Sequence, residues 1–351
     1  VISKYSKKNV LNCLKTNWIS SQGDYIKKFE KELSRFHHMK YCIVTSSCTT
    51  ALHLSLLSLN LKKDDEVICP ALSFIAPANM ILLSNLKLVL VDIDPITLTI
   101  DEKLIEKKIT RKTKAILVVH QFGHSANMDK ILQLKKKYNL KIIEDNAESI
   151  GGKYKGKLNG TMGDISTLSF FANKIITTGE GGAILTNKKD IYLRCLEMRD
   201  HGMSIKKRYF HKMLGFNYRM TNLQAAIGLS QIREIKKILN KRNLQMNYYY
   251  DLLSNNKNYF IRKFQNWCEP VHWLTTITLK KKGIRDKLLN YLKKNKIDSR
   301  QMVNPINESN HIKKIINIRF KNSYNISKNS LHLPSGTDLK KKEINYIVNK
   351  L

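Results

Sequence analysis

The sequence predicts an α/β fold, with a large domain built on a mostly parallel sheet and a smaller α+β domain after it. Three observations predict it. Short apolar runs alternate with helix-forming segments from Tyr41 to Asp145, the rhythm of a parallel sheet crossed over by helices on both faces. Several of those runs end in small polar or charged residues, which gathers chemistry beyond the carboxyl ends of the strands, where such sheets bind ligands. The alternation gives way beyond about residue 240 to an α+β pattern. Domains are therefore expected at 1–240 and 241–351.

The elements follow in order. Residues 1–40 read as helix, loop, helix, with a turn at Trp18–Gly23. Tyr41–Thr45 is a buried strand that runs through the polar turn Ser46–Thr50 into a helix from Ala51 to Leu57. A strand, a Ser/Thr turn and a helix start make an anion site, because free amides and the helix dipole converge there. Strands are then expected at Glu66–Pro70, Leu86–Val91, Lys114–Val119 and Lys141–Asp145, and helices at Ile75–Leu83, Asp101–Ile109 and Met128–Tyr138. Asp145, His120 and the Ser47–Thr49 turn share one rim. A hairpin is expected at Tyr154–Lys157, a strand at Thr167–Phe171, another at Ala183–Thr186, and helices at Ile191–Arg199 and from Thr221. The later part carries a helix at Lys241–Leu253, strands at Trp273–Leu279 and Ile297–Met302, a helix at Ile284–Lys294, the segment Leu331–Pro334 and a last helix from Leu339.

Bulk properties narrow the function. The chain has 351 residues, and its 42% hydrophobic content suffices for a sizeable core. No apolar stretch approaches a membrane span. The chain opens on Val1, so a few residues are expected to precede it, and no signal peptide is read there. The six cysteines form no CxxC pair, the usage of free thiols in a reducing cytoplasm. His37-His38 lacks metal-ligand spacing. The net charge of +34 is spread along the whole length with no Arg-rich arm. It is an electrostatic footprint that attracts phosphorylated substrates, not a nucleic-acid site.

The chemistry centres on Ser169-Phe170-Phe171-Ala172-Asn173-Lys174-Ile175-Ile176-Thr177-Thr178-Gly179-Glu180-Gly181-Gly182-Ala183. An apolar strand delivers one lysine into a glycine-rich loop, hence into a cleft, where a lysine serves as the nucleophilic amine of Schiff-base chemistry. Asp145 lies at a strand end, Ser169 just before the lysine, Phe74 after the strand Glu66–Pro70, and the Ser47–Thr49 turn can hold a phosphate. Together these are the parts of a pyridoxal phosphate site: an amine, a carboxylate for the pyridine nitrogen, an anion cradle and an aromatic for the ring face.

Those residues, with Glu144-Asp145-Asn146-Ala147-Glu148-Ser149, Arg199-Asp200-His201-Gly202, Gly215–Ala226 and Leu331–Ser335, resemble the DegT/DnrJ/EryC1/StrS family of sugar-nucleotide aminotransferases over nearly the whole chain. The segment Asn173–Gly182 is most similar to the GDP-perosamine synthase branch. The resemblance implies fold type I of the pyridoxal-phosphate-dependent transferases, the aspartate aminotransferase-like fold. It implies amino transfer from L-glutamate, through pyridoxal 5'-phosphate and its pyridoxamine form, to C4 of a nucleotide-linked 4-keto-6-deoxyhexose. GDP-, dTDP- or UDP-linked substrates and C3 amination stay open.

It also implies roles. Lys174 bonds the cofactor and then moves protons. Asp145 meets the pyridine nitrogen, Phe74 stacks on the ring and Glu148 stands near the ring hydroxyl. Cys48, Thr49 and Ser169 hold the phosphate. Asn217 reaches the phosphate of a partner subunit in a homodimer, and Arg219 and His201 contact substrate. Two departures stand out. Cys48 occupies a position usually held by Gly, so it is expected to be strained if the turn needs positive φ. Arg300–Asn307 lacks the usual aromatic pair and His that shape the sugar pocket. A rival reading keeps the fold without catalysis, as a regulatory or nucleic-acid-binding protein, on the strength of the charge.

Overall fold

The computed structural model describes residues 2–351. Its main sheet is built from β1 (Tyr41–Thr45), β2 (Glu66–Pro70), β3 (Lys87–Val91), β4 (Thr113–Val119) and β5 (Lys141–Asp145), then, past a small hairpin of β6 (Lys153–Tyr154) and β7 (Lys157–Leu158), β8 (Ile165–Ser169) and β9 (Gly182–Thr186). The order is β1-β9-β8-β5-β4-β2-β3. β9 alone runs opposite to the other six strands of this sheet. The physical reason is its connection: the loop 170–181 contains no crossover helix, and a parallel return needs one. The loop that carries Lys174 is thus a short return over the carboxyl rim.

β1, β2, β5 and the helix Met128–Tyr138 occupy the expected residues. Other elements differ for local reasons. The helix after β1 begins at Cys48 rather than Ala51, because Ser47 caps it: Ser47 Oγ accepts from Thr50 N and Thr50 Oγ1 accepts from Ser47 N, each at 3.1 Å. The helix expected at Asp101–Ile109 closes after Ile105 and tightens into a 3-10 turn, Glu106–Lys108. β8 stops at Ser169, so Phe170 and Phe171 already belong to the loop.

The second sheet is wholly antiparallel. It contains β10 (Tyr259–Ile261), β12 (Thr275–Leu279), β13 (Arg300–Gln301) and β14 (Ser330–Leu333), in the order β10-β12-β14-β13. β11 (Cys268–Glu269), which precedes β12 in the chain, joins neither large sheet but pairs with β6. A helix, Ile235–Leu253, runs through residue 240. The final third also reaches back elsewhere: Ile306 N donates to Ala71 O at 2.8 Å, and Ile306 and Ile312 pack in the core beneath β2. No described helix is long and apolar enough to cross a membrane.

Phe29, Leu33, Leu168, Phe170 and Leu229 pack one face of the sheet, all 2% exposed or less. At roughly 2 kcal/mol for each fully buried large side chain, this contact fixes the lysine loop against helices Asp24–His37 and Asn222–Arg233. A buried polar knot does the same at β5. Glu144 pairs with His120 Nε2 at 2.9 Å and accepts from the amides of Gly160 (2.8 Å), Met162 (2.7 Å) and Gly163. Burial opposes its charge, but His120 and these donors hold its carboxyl below the usual range. The next residue along the strand is Asp145.

Candidate active site

Strand register assembles the rim. Thr45 and Ser169 lie on either side of Gly182, and Asp145 lies opposite Thr167. A Cβ on Gly182 would sit 2.4 Å from the Ser47 carbonyl and 2.5 Å from Cys48 N, so only glycine lets that peptide press onto β9. The helix Cys48–Ser58 thereby points its N-terminus at the rim. Its first amides, on Cys48 and Thr49, have no intrahelical partner and favour an anion. Cys48 is not among the residues with positive φ. The strain expected there is absent, because the residue occupies the first turn of a helix, which any side chain can enter.

The Cys48 thiol is raised well above its ordinary value, first by burial and then by Asp145, while Thr167 and Lys174 oppose. It is therefore a protonated thiol beside the carboxylate. The other five cysteines are buried. In cofactor-free protein, a disulfide thiol reagent at pH 8.5 should react with a single cysteine, more slowly than with a free thiol. Cys48→Gly should remove that reaction, and added cofactor should block it, read by absorbance of the released thiolate.

Lys174 sits in a loop held at several points. Phe170 N donates to Gly181 O, Thr178 N to Phe170 O and Lys174 N to Phe171 O, each at 2.9 Å. Gln231, from the helix behind, accepts from Thr177 N at 3.0 Å and donates to Thr177 O at 2.6 Å. The Lys174 side chain is 13% exposed, and its Nζ lies 3.7 Å from Glu148 Oε1. Glu148 Oε2 accepts from Phe122 N at 2.7 Å, and Asp145 Oδ1 accepts from Ala147 N at 3.0 Å. Burial pushes both carboxyls up and Lys174 opposes in each case.

The structure gathers Cys48, Thr49, Asp145, Glu148, Ser169 and Lys174 at this rim. Phe74 is 59% exposed on the loop after β2. Asn217 and His201 are exposed on the segment 200–218. Arg219 Nη1 lies 2.9 Å from Asp200 Oδ1, and its Nε donates to Asn217 Oδ1 at 3.0 Å. Beside Lys174 opens a cavity of about 610 Å³ whose wall includes Trp273, Arg242, Arg300, His332 and the turn Ser335–Asp338. It lies to one side of the lysine, and Asp145, Glu148 and Cys48 are not in its wall.

Sequence reasoning missed Trp273 and Phe122 as parts of the site. Phe122 has φ +50°, a left-handed conformation that a bulky residue rarely adopts. Its neighbour Gly123 is pressed onto Val271 O, where a Cβ would be 1.8 Å away. The sequence signal was the Phe-Gly pair three residues past the end of β4.

The residues fit pyridoxal phosphate. Asp145 is 5% exposed and Thr167 Oγ1 is buried without a hydrogen-bond partner. Lys174 favours the Asp145 charge from a distance, but no ion pair within 4.0 Å holds that carboxylate among the described residues, and a protonated ring nitrogen would provide one. The capped helix end provides the phosphate cradle.

Burial also fixes an acid response. His37 is lowered to about 4, and His124, His272 and His332 to about 3, in each case first by burial. The unfolded chain takes up these protons near 6.5 and the folded chain does not, so stability falls as pH drops below that value. Asp145 and Glu148, raised in the fold, act in the opposite direction in the upper carboxylate range. Each buried histidine contributes at most about 1.4 kcal/mol per pH unit to that loss just below the histidine range. Melting of cofactor-free protein should drop by several degrees between pH 7 and pH 5.

The sequence profile of the DegT/DnrJ/EryC1/StrS aminotransferase family matches residues 1–351. The chain is 42% identical to a GDP-perosamine synthase of Escherichia coli O157:H7 over 86% of this chain and 82% of that protein. It is 35% identical to a GDP-perosamine synthase of Vibrio cholerae over 98% and 94% of the two. Among solved structures, the Helicobacter pylori aminotransferase PseC, involved in pseudaminic acid biosynthesis, superposes with a TM-score of 0.95 at 29% identity, over 100% of this chain and 96% of that one.

Proposed function

We propose, from the premise that this chain belongs to the DegT/DnrJ/EryC1/StrS aminotransferase family, that it moves an amino group from L-glutamate to C4 of GDP-4-keto-6-deoxyhexose, with pyridoxal phosphate as cofactor. The observation that carries this reading is the half-buried Lys174 amine, 3.7 Å from Glu148, on the wall of a cavity large enough for a sugar. The kinship with GDP-perosamine synthases supports the GDP-linked substrate.

Bound, the cofactor supplies an aldehyde for amine exchange and a ring that takes up electrons. The chain's residues do the rest. The amides of Cys48 and Thr49, with the Ser169 hydroxyl, bind the phosphate. Asp145 keeps a proton on the ring nitrogen, and Glu148 orients the ring hydroxyl. Lys174 Nζ would be the amine that holds the cofactor, and it stands where it would hold and move a proton at C4 of the sugar. Phe74 covers the ring.

The exposure of Asn217, His201 and Phe74 in one chain supports a homodimer with shared sites. Asn217 then reaches the phosphate across the interface, while Arg219 and His201 contact substrate there. In this reading residues 1–240 hold the cofactor and 241–351 close over the sugar. Six cysteines without a disulfide suit a cytoplasmic enzyme.

A turnover screen tests the proposal. Purified protein with pyridoxal phosphate and glutamate is offered GDP-, dTDP- and UDP-4-keto-6-deoxysugars, and the amine position is read by NMR. GDP-sugar turnover with a C4 amine is expected. A preference for dTDP or UDP substrates, or a C3 amine, would replace the substrate assignment.

A further inference from the structure

The amine of Lys174 does not hang free over the rim. It lies 3.6 Å from the centre of the Trp273 ring, well inside the range of cation–π attraction. Trp273 is 6% exposed, and its indole N–H donates at 2.9 Å to the carbonyl of Asn173, the residue before the lysine. The same ring stacks on Phe122, 6.1 Å centre to centre and 15° from parallel. Phe122 in turn gives its amide to Glu148 Oε2, and Glu148 Oε1 faces the lysine. Four residues from four separate segments therefore close a circuit: Lys174 on Trp273, Trp273 on Phe122, Phe122 on Glu148, Glu148 on Lys174. The left-handed backbone of Phe122 is one part of what this circuit holds in place.

We propose that Trp273 is the positioning residue for the reactive lysine: its ring face holds the Lys174 amine in one place whenever that amine is not bonded to the cofactor. The proposal rests on Lys174 being the reactive amine of the proposed function. A freed lysine has four rotatable bonds and would otherwise spread over many rotamers. An aromatic face on one side and a carboxylate on the other confine Nζ to the spot from which protons are delivered. Indole is the strongest of the aromatic faces, so Phe should substitute in part and Leu, of similar bulk, should not.

The cofactor-free protein provides a readout independent of turnover. Lys174 is acetylated with sulfosuccinimidyl acetate, and its rate is followed by mass spectrometry against exposed Lys63 as internal control. Trp273→Leu should label Lys174 about ten-fold faster than wild type and Trp273→Phe about three-fold faster, with Lys63 unchanged. In loaded enzyme, Trp273→Leu should lower kcat about ten-fold with KM for the sugar little changed, and Trp273→Phe should recover most of it. Unchanged labelling in Trp273→Leu overturns the proposal. So does a raised sugar KM at intact kcat, which makes Trp273 a sugar contact instead. If Trp273→Leu does not fold, labelling of Trp273→Phe decides: three-fold acceleration supports the proposal and no change overturns it. Failure of every sugar to turn over would sink the proposed function while leaving the labelling result intact.

Discussion

Replacing Lys174 by Met should remove at least about 10⁴-fold of kcat, the upper end of what a positioned proton-transfer group contributes, and leave the fold in place. The side chain is 13% exposed and close in volume to methionine, so no cavity opens. What changes is charge. Glu148 loses the cation that opposes its burial, and its carboxyl should rise further. The variant should still take up cofactor at the Cys48–Thr49 helix end, but without the visible absorbance band of a lysine-bonded cofactor. Turnover assays, spectra and a thermal melt check the three parts. A Met variant that keeps even a hundredth of wild-type turnover would show that another group carries the chemistry.

Asp145→Asn should act with opposite signs on cofactor-free and loaded protein. Burial raises the Asp145 carboxyl in the fold. The unfolded chain ionises first as pH rises, so stability is lost between the unfolded and the folded values, and the full cost is present at neutral pH. Asn carries no such cost. Cofactor-free Asp145→Asn should therefore melt higher than wild type at pH 7.5, with a gain of about 1 kcal/mol. The advantage should vanish at pH 4. Loaded protein should show the reverse, because an amide cannot keep the ring nitrogen protonated. Activity should fall about 10³-fold, on the scale of removing a group that stabilises developing charge. Melts of both forms at two pH values, beside turnover, test this directly.

Most of the rim was legible because its residues lie at the ends of short apolar runs. Asp145 ends β5, Ser169 ends β8, and Ser47 announces a helix with a Thr three residues on. Each is a local signal. The lysine loop was legible for the same reason, with an apolar strand before it and glycines after it. The loop's consequence for topology, the reversed β9, was not. It depends on the absence of a helix between Ser169 and Gly182, whereas a sequence pattern speaks for what is present. Cys48 was misread through its neighbours: the Ser/Thr turn was visible, but the helix starts three residues earlier than its apolar periodicity. Phe122 and Trp273 lie about 150 residues apart and meet because the segment before β12 packs on the turn after β4, with Val271 N donating to Gly123 O. Neither carries a mark of that meeting. Arg219 and His201 lie in recognisable motifs, yet a motif does not say what a side chain contacts.

The pairing of β11 with β6 limits how this scaffold can be recombined. A chimaera joined at residue 240, with its last third from a relative, would keep Lys153–Tyr154 but receive a foreign β11, and a foreign residue where Trp273 meets the Asn173 carbonyl. A junction moved beyond Leu279 would keep both contacts native and transplant the helix Arg285–Lys294, β13, β14 and the C-terminal helices, with the β12–β14 pairing as the sheet contact it crosses. Parents exchanged at the later point should yield soluble hybrids more often. The boundary expected from sequence and the seam useful to an engineer are then about 40 residues apart, a spacing set by one two-residue strand.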